Sequence, residues 1–303
     1  MKLLRNPPFI LPILALLTAT LLWGSSFITI SQALRYTNPF TLVACRFACA
    51  CLFLAILLKG QVHKIPRTTW KGGVICGTAI FLCYLANTAG LMTIQSSLSG
   101  FLTALYVPFT PLLLWIVFKK RPEWMTLFGV SIAFMGLVLL SNPFQYTFRG
   151  NWGELITIFS AFMSAFEIIL VGRFAKGTQA RQFAFCQLLT VSIFATITLG
   201  IISGLSLPVK TTIWNRTVIF AILWLATIVG CVQILLSWAQ RFVSPNRAAI
   251  IFAMESVFAA IIGWFAGENL GPLGLFGGAC IVLGIILSEC KLPTRKKKVD
   301  SSC

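Results

Sequence analysis

Turn residues divide this chain into ten long apolar runs, and these runs limit the folds that are open to it. Each run is about 17–22 residues long, enough for a helix to cross a hydrocarbon core about 30 Å thick. Dipeptides such as Asn38-Pro39, Ser244-Pro245 and Gly271-Pro272 mark breaks between runs. We therefore predict an all-α polytopic membrane protein with ten transmembrane helices. The runs cover residues 11–31, 40–58, 73–92, 98–118, 124–140, 152–171, 183–203, 217–238, 247–265 and 271–288.

The composition excludes a soluble globular domain. Hydrophobic residues make up 58% of the 303 residues and charged residues only 10%, whereas a soluble domain carries about 25% charged residues. The first run follows Lys2 and Arg5, as the apolar part of a signal peptide would, but it continues past residue 27 without a fitting small-residue cleavage site. We interpret it as a retained first span.

The basic residues are distributed unevenly between the two sets of loops. Nineteen of the 24 lysines and arginines lie in the two terminal segments and in loops 59–71, 119–121, 173–181 and 241–247. Loops on the other side carry four, and Arg46 lies inside the second run. Short loops rich in Lys and Arg stay in the cytoplasm. We therefore predict a protein of the inner (plasma) membrane with both termini in the cytoplasm.

The formal net charge of +17 comes from these short loops rather than from a polar domain. It therefore indicates an anchored inner face, and we expect no nucleic-acid partner. The last residues, 291–303, form a basic tail containing Arg295 and the lysines at 296–298. Two roles fit this tail, namely contact with anionic membrane lipid and a solvated cytoplasmic anchor.

The fifth and tenth runs resemble each other. LFGVSIAFMGLVLLS (127–141) and LFGGACIVLGIILSE (275–289) align without gaps and share Leu-Phe-Gly and a second glycine seven residues later. Because five spans is an odd number, the second copy of such a repeat must enter the membrane from the opposite side. We predict two inverted five-helix repeats, 1–143 and 144–290, followed by the tail. An inert duplicated scaffold is the alternative.

Four segments resemble the EamA family of the drug/metabolite transporter superfamily, and together they extend over both halves. They are LLWGSSFI (21–28), ACRFACACLFL (44–54), AGLMTIQSSLSGFLTALYVPFTPLLLWIVFKK (89–120) and FAGENLGPLGLFGGACIVLGIIL (265–287). The resemblance implies ten helices around a central cavity, with spans five and ten at the side, where such proteins often form homodimers. One departure is Lys120-Arg121-Pro122, where family members often have Glu-Arg-Leu. It removes an inner-loop carboxylate.

The resemblance also implies secondary transport of a small-molecule substrate. We predict an exporter of amino acids or related compounds, working by alternating access and coupled to protons. One alternative is an importer or exchanger of a nucleotide-derived metabolite such as S-adenosylmethionine, and another is a non-transporting scaffold. The seven carboxylates and the single histidine, His63, form no recognisable catalytic constellation. We expect no enzyme activity, metal or cofactor, because glycine-rich phosphate loops and histidine-rich metal sites are also missing from the sequence.

Glu255 lies inside the ninth run, with no basic residue within seven positions. A carboxylate at membrane depth costs roughly 2.5–3.5 kcal/mol on insertion scales, so such residues usually serve a function. Glu255 fits a role in proton coupling or in binding a cationic group of the substrate. It also fits a structural pair with Arg46, or a hydrogen bond to Tyr84 or Tyr106.

Arg46 and Glu167 each allow two interpretations. The guanidinium fork of Arg46 suits a substrate carboxylate or phosphate, but its long side chain is also able to reach the outer interface. Glu167 either faces the cavity or pairs with Arg173 or Lys176, and we favour the pair because both cations lie close to it in sequence.

Further cavity candidates are polar or aromatic residues placed to line a small-molecule site, although helix packing explains each of them equally well. These candidates are Trp23, Ser25, Ser26, Tyr84, Asn87, Tyr106, Gln187 and Gln233.

Prolines and glycines mark special backbone positions. Pro108 and Pro111 interrupt hydrogen bonding in span four and are hinge candidates, with a plain kink as the alternative. Glycines at seven-residue spacing form a close-packing face on spans five and ten, either for each other or for a second protomer. They are Gly129, Gly136, Gly277 and Gly284.

Overall fold

The structure is a computed structural model that describes residues 7–8, 10–94, 96–141, 150–206, 208–265 and 271–289. Within these ranges the chain is helical, without β-strands, and it includes one short 3₁₀ helix, Gln61–Lys64. The predicted break at Asn142-Pro143, the segment Gly267–Leu270 and the basic tail lie outside the described residues. The α-helices are α1 Ile10–Leu34, α2 Pro39–Leu57, α3 Arg67–Leu91, α4 Ser96–Thr103, α5 Tyr106–Ile116, α6 Trp124–Ser141, α7 Trp152–Phe174, α8 Ala180–Gly204, α9 Arg216–Ala239, α10 Pro245–Phe252, α11 Met254–Phe265 and α12 Pro272–Glu289.

Eight helical segments of the described chain are long and apolar enough to cross a membrane. One of them combines α4 with α5 and another combines α10 with α11, while Ile10–Ser26 and Pro272–Ser288 are shorter apolar stretches. Large apolar side chains such as Ile56, Ile116 and Phe265 remain exposed on the outside of the bundle. Such a surface suits lipid rather than water. The chain is therefore a multi-pass, all-α membrane protein.

Asparagine side chains fix the starts of three helices. The Oδ1 atom of Asn38 accepts a hydrogen bond from the backbone N–H of Thr41 at 2.8 Å, at the start of α2. Asn215 caps α9 in the same way, and Asn151 forms a reciprocal capping box with Glu154 at the start of α7. These caps satisfy amide groups that a helix end leaves without partners.

The segment before α9 packs on the turn between α1 and α2. The Asn38 side chain donates to the carbonyl of Lys210 at 2.9 Å, and the backbone N–H of Ile213 donates to the carbonyl of Tyr36 at 2.8 Å. These bonds join the first and second halves of the chain at one end of the bundle.

The two halves of the chain pack on each other reciprocally. Helix α3 of the first half packs against α7 and α8 of the second half, and α9 of the second half packs against α1 and α2 of the first. Helices α2 and α8 pack together, as do α6 and α12. When α1, α2, α3 and α6 are exchanged with α7, α8, α9 and α12, respectively, the same set of helix pairs results.

Helices α6 and α12 meet along a glycine seam, which we define as Gly129, Gly136, Gly277 and Gly284. A Cβ atom built on Gly129 would lie 2.7 Å from the carbonyl oxygen of Gly284, and one built on Gly136 would lie 2.5 Å from that of Gly277. The early glycine of one helix faces the late glycine of the other, so the helices are antiparallel. The predicted glycine face therefore has its partner within the same chain.

The fourth apolar run contains a helix break between α4 and α5. Pro108 has no N–H to donate to the carbonyl of Ala104, and this carbonyl accepts from the backbone N–H of Val107 at 3.1 Å. The predicted proline effect is thus present as a break in the helix. A hinge movement at Pro108 and Pro111 stays a prediction.

The ninth run is also broken, although it contains no proline near the break. Helix α10 ends at Phe252 and α11 begins at Met254. The backbone N–H of Ser256 donates to the carbonyl of Ala253 at 3.2 Å. This bond spans three residues, as in a 3₁₀ helix, instead of the four residues of an α-helix. The offset that aligns LFG at 127 with LFG at 275 also aligns the first residue of α5 with the first residue of α11.

Candidate functional site

Five titratable side chains from four helices meet deep in the bundle. They interact electrostatically, since Glu255 acts on Cys83, Tyr84 and Tyr106, and Glu167 acts on Cys83 and Tyr84. Each is enclosed by protein yet remains partly accessible. We call this set the central cluster: Cys83, Tyr84, Tyr106, Glu167 and Glu255.

Glu255 lies in the first turn of α11, because the break before Met254 starts a new helix there. The positive end of the helix dipole favours a carboxylate in this position. A Cβ atom on Gly24 would lie 3.0 Å from both the carbonyl oxygen of Glu255 and the N atom of Ala259. Helix α1 therefore lies directly against α11 at the level of Glu255.

The Glu255 carboxylate forms no hydrogen bond or ion pair with any described residue. The structure thus contains neither the predicted pair with Arg46 nor the hydrogen bonds to Tyr84 and Tyr106. Tyr84 and Tyr106 are close enough to sense its charge without bonding to it. Glu255 is a carboxylate at membrane depth without a counter-ion in the described part of the chain.

Arg46 lies inside the bundle rather than at its edge. Its side chain is 6% exposed, and its guanidinium carbon lies 4.9 Å from the centroid of the Tyr84 ring and 5.1 Å from that of Phe47. This position is incompatible with the predicted extension toward the outer interface. Its Nε atom is buried without a hydrogen-bond partner among the residues that the structure describes.

Glu167 does not pair with Arg173 or Lys176, and the interpretation that we favoured from the sequence is wrong. Arg173 is six residues further along α7, which places it on the other side of the helix. Its guanidinium lies over the ring of Phe174, at 5.9 Å, and Lys176 lies beyond the end of α7. Glu167 faces the central cluster instead.

Gln187 and Gln233 bond to each other between α8 and α9. The Nε2 atom of Gln233 donates to Oε1 of Gln187 at 3.0 Å, and the hydroxyl of Ser237 donates to the same oxygen at 3.2 Å. All three side chains are buried. Cys76 interacts with both Gln187 and Glu167, so it links this hydrogen-bonded group to the central cluster.

The candidates on span one are occupied by contacts of their own. The Trp23 ring packs edge-on against Phe252 with 6.0 Å between centroids. The hydroxyl of Ser25 donates to the carbonyl of Leu22, and that of Ser26 donates to the carbonyl of Trp23, both at 2.7 Å. These hydroxyls keep only their acceptor lone pairs for any other partner.

Asn87, one turn beyond Tyr84, connects α3 to α4. Its Nδ2 atom lies 2.8 Å from the Thr103 hydroxyl and 3.4 Å from the Ser99 hydroxyl. The side chain therefore supports the helix that precedes the break and is not part of the central cluster.

Sequence reasoning overlooked a contact between α3 and α7. The thiol of Cys83 lies 2.9 Å from the Ser164 hydroxyl and 3.6 Å from that of Ser160. A signal was present, since Ser160, Ser164 and Glu167 recur at helical spacing and share one face of α7.

A narrow crevice opens beside Tyr84, between α2, α3 and α8. Tyr84 therefore lines this crevice and also belongs to the central cluster. The crevice walls are mainly apolar, with two threonines. They are formed by Phe40, Val43, Phe81, Tyr84, Leu85, Thr88, Ala195 and Thr198.

The chemistry of the central cluster is that of ionisable groups without fixed partners. Two partly accessible carboxyl groups that lack a contacting cation among the described residues are suited to exchange protons or to bind a cationic group. Among the described residues, no three His, Cys, Asp or Glu side chains lie close enough to hold a metal ion.

Comparisons with known proteins match both halves of the chain. A family model described as "EamA-like transporter family" matches residues 10–142 and again residues 151–289. An "uncharacterized transporter" of Archaeoglobus fulgidus is 30% identical over 280 residues, covering 92% of this chain and 86% of that protein. The "uncharacterized inner membrane transporter YedA" of Escherichia coli K12 is 24% identical, covering 90% and 89%.

The fold also has a counterpart among solved structures. One crystal structure superposes with a TM-score of 0.76, covering 92% of this chain and 96% of the other, at 16% sequence identity. At this level of identity the match shows a shared fold.

Proposed function

Because the chain belongs to the EamA-like transporter family, we propose that it is a secondary active transporter of small organic metabolites. It exports amino acids or related compounds across the inner (plasma) membrane by alternating access around a central cavity. Ten spans form two inverted repeats, with both termini in the cytoplasm. The naming of its relatives as transporters favours transport over catalysis.

Three observations support the inverted repeat. The family model matches each half separately, and the helix pairings are unchanged when the halves are exchanged. Helices α6 and α12, which are equivalent in the sequence repeat, run antiparallel along the glycine seam. An axis in the membrane plane relates equivalent helices in this way, and transporters place their sites at such a repeat interface.

The observation that carries the functional proposal is the unpaired state of Glu255 and Glu167 in the interior. A structural role would pair these carboxylates with cations, and the described residues supply none in contact. Groups of this kind inside a membrane mark substrate or proton pathways. We assign proton coupling to Glu255, with Glu167 as the second carboxylate of the same space.

The test is efflux from proteoliposomes loaded with a radiolabelled amino-acid panel. We expect efflux of at least one member to respond to an imposed pH gradient, and Glu255→Gln to remove that response while the protein still folds. Glu123→Gln, a matched change at an exposed loop carboxylate, is expected to behave as wild type. A pH response that survives Glu255→Gln would overturn the assignment, and absence of flux for every panel member would favour the scaffold.

A second candidate function is an exchanger of a nucleotide-derived metabolite such as S-adenosylmethionine. The observation that favours it is Arg46 over the face of Tyr84, an arrangement that suits planar, charged ligands. An exchanger requires substrate on both sides of the membrane. Efflux that occurs only with unlabelled substrate outside would select this alternative over the proton-coupled exporter.

A further inference from the structure

We propose that Arg46 binds an anionic group of the transported molecule, so that its ligands carry a carboxylate or a phosphate. This role rests on the proposed transport function, because the anion is taken to be part of the cargo. Binding itself, however, is measurable without transport.

The guanidinium of Arg46 lacks the acceptors that a buried cation requires. It has five N–H donors, and no described residue forms a hydrogen bond or ion pair with it; its Nε atom is fully enclosed. An uncompensated buried charge is strongly destabilising, so buried arginines are normally paired. A missing partner on so buried a side chain indicates a ligand group that supplies the acceptors.

Aromatic rings hold the guanidinium without satisfying it. Two rings lie within cation–π distance of the guanidinium, that of Phe47 on α2 and that of Tyr84 on α3. Ring faces attract the positive charge, but they provide no oxygen for the N–H donors. A carboxylate or phosphate accepts two parallel hydrogen bonds from this fork.

The carboxylates of the chain do not fill this role. Glu255 and Glu167 both interact with Tyr84, as Arg46 does, but neither forms an ion pair with Arg46. Tyr84 is thus the common neighbour of an unpaired guanidinium and two carboxyl groups without a contacting cation. The separation of these charges leaves the cation available to an anion from outside the chain.

A narrow crevice lies close to this position. The crevice along Tyr84 also touches Val43, one helical turn from Arg46. An aromatic group of a ligand would meet the rings of Phe40, Phe81 and Tyr84 there.

The experiment uses the full-length protein in nanodiscs and two matched pairs of probes. One pair is 3-phenylpropionate and its neutral amide, and the other is phenyl phosphate and phenol; isothermal titration gives the affinities. We expect at least one anion to bind at least tenfold more tightly than its neutral partner, about 1.4 kcal/mol. The pair that discriminates identifies the anion as a carboxylate or a phosphate.

Substitutions then assign this discrimination to one residue. Arg46→Gln is expected to abolish it, and Arg46→Lys to retain part of it, because lysine keeps the charge and loses the planar fork. Arg216→Gln removes an exposed arginine and is expected to leave it unchanged. Since the comparison of acid with amide needs no variant, a poorly folding Arg46→Gln protein does not prevent the test.

Several outcomes would overturn the role of Arg46. They are equal affinity for both members of each pair, no binding of either anion, and full discrimination in the Arg46→Gln protein. Failure of the transport function is recognised separately. Discriminating binding without flux would refute transport alone, and flux without discrimination would refute the anion site alone.

Discussion

At the scale of single residues, the described part of the interior contains ionisable side chains without a contacting group of opposite charge. Glu255 and Glu167 lack a contacting cation, and Arg46 lacks a contacting anion, among the described residues. The local surroundings favour the ionised form of two of them: a helix N-terminus for Glu255 and two ring faces for Arg46. These weak interactions hold the side chains in place. The hydrogen-bonding atoms of the carboxyl and guanidinium groups stay free for a ligand or a proton.

The buried hydrogen bonds around Gln187 predict a different behaviour for paired polar groups. Gln187→Met keeps the shape of the side chain and removes the acceptor used by Gln233 and Ser237. We expect it to lower the free energy of unfolding by about 1 kcal/mol, because two buried donors lose their partner, while the Nε2 atom of Gln187, which is buried without a partner among the described residues, is removed. Thermal unfolding of the detergent-solubilised protein measures this change.

The double variant Gln187→Met with Gln233→Met is the control for this interpretation. It removes the amide that would otherwise be left unsatisfied, so it is expected to be more stable than the sum of the two single changes predicts. Strictly additive losses would show that the hydrogen bond contributes little.

At the scale of helices, backbone contact at the glycine seam and the breaks in spans four and nine define the architecture. At the seam the backbones of α6 and α12 are in direct contact. The breaks place Tyr106 and Glu255 at or beside the start of a new helix. The seam fixes α6 and α12 relative to each other, and the breaks position two members of the central cluster.

The seam predicts a strong effect of one methyl group. In Gly136→Ala the added Cβ would lie 2.5 Å from the carbonyl oxygen of Gly277 and 2.8 Å from the N atom of Ile281. Backbone atoms cannot move aside as a side chain can, so we expect a loss of at least about 2 kcal/mol. Melting temperature and the monodisperse fraction in size-exclusion chromatography both report it.

Gly200→Ala is the matched control, because no atom lies within 4 Å of a Cβ atom built there. It is expected to leave stability unchanged or raise it by about 0.5–1 kcal/mol, as alanine favours a helix interior over glycine. Equal effects of the two changes would contradict a backbone contact at Gly136.

Sequence reasoning succeeded where a feature is encoded by spacing along the chain. Apolar runs located the helices because the bilayer sets their length, and the seven-residue glycine period located the seam. It failed for Glu167, because closeness in sequence to Arg173 is not closeness on a helix surface. It also missed the break before Glu255, because no proline or glycine lies near Ala253 to reveal it.

At the scale of the whole molecule, two halves of similar sequence pack through reciprocal helix pairs. The only sequence signal for their orientation is the unequal distribution of Lys and Arg between loops. If five spans separate equivalent positions, the ends of the two halves lie on opposite sides of the membrane.

Reporter fusions test this orientation. Green fluorescent protein is expected to fluoresce when fused at the C-terminus or after residue 177, and to be dark when fused after residue 141, because it matures only in the cytoplasm. Alkaline phosphatase at the same three positions is expected to give the reverse pattern. Bright fluorescence after residue 141 would show that the first half has an even number of spans.

The glycine seam has a mechanical consequence for a molecule built in this way. Because carbonyl oxygens of one helix lie against the Cα atoms of the other at two levels, α6 and α12 resist sliding along each other. If the two halves move relative to each other as we propose, rotation about the seam is the movement that this contact permits. Such a rotation widens the bundle at one membrane face while narrowing it at the other. The seam would thus act as the fixed axis of this rotation, and its close contact would limit the angle through which the halves turn.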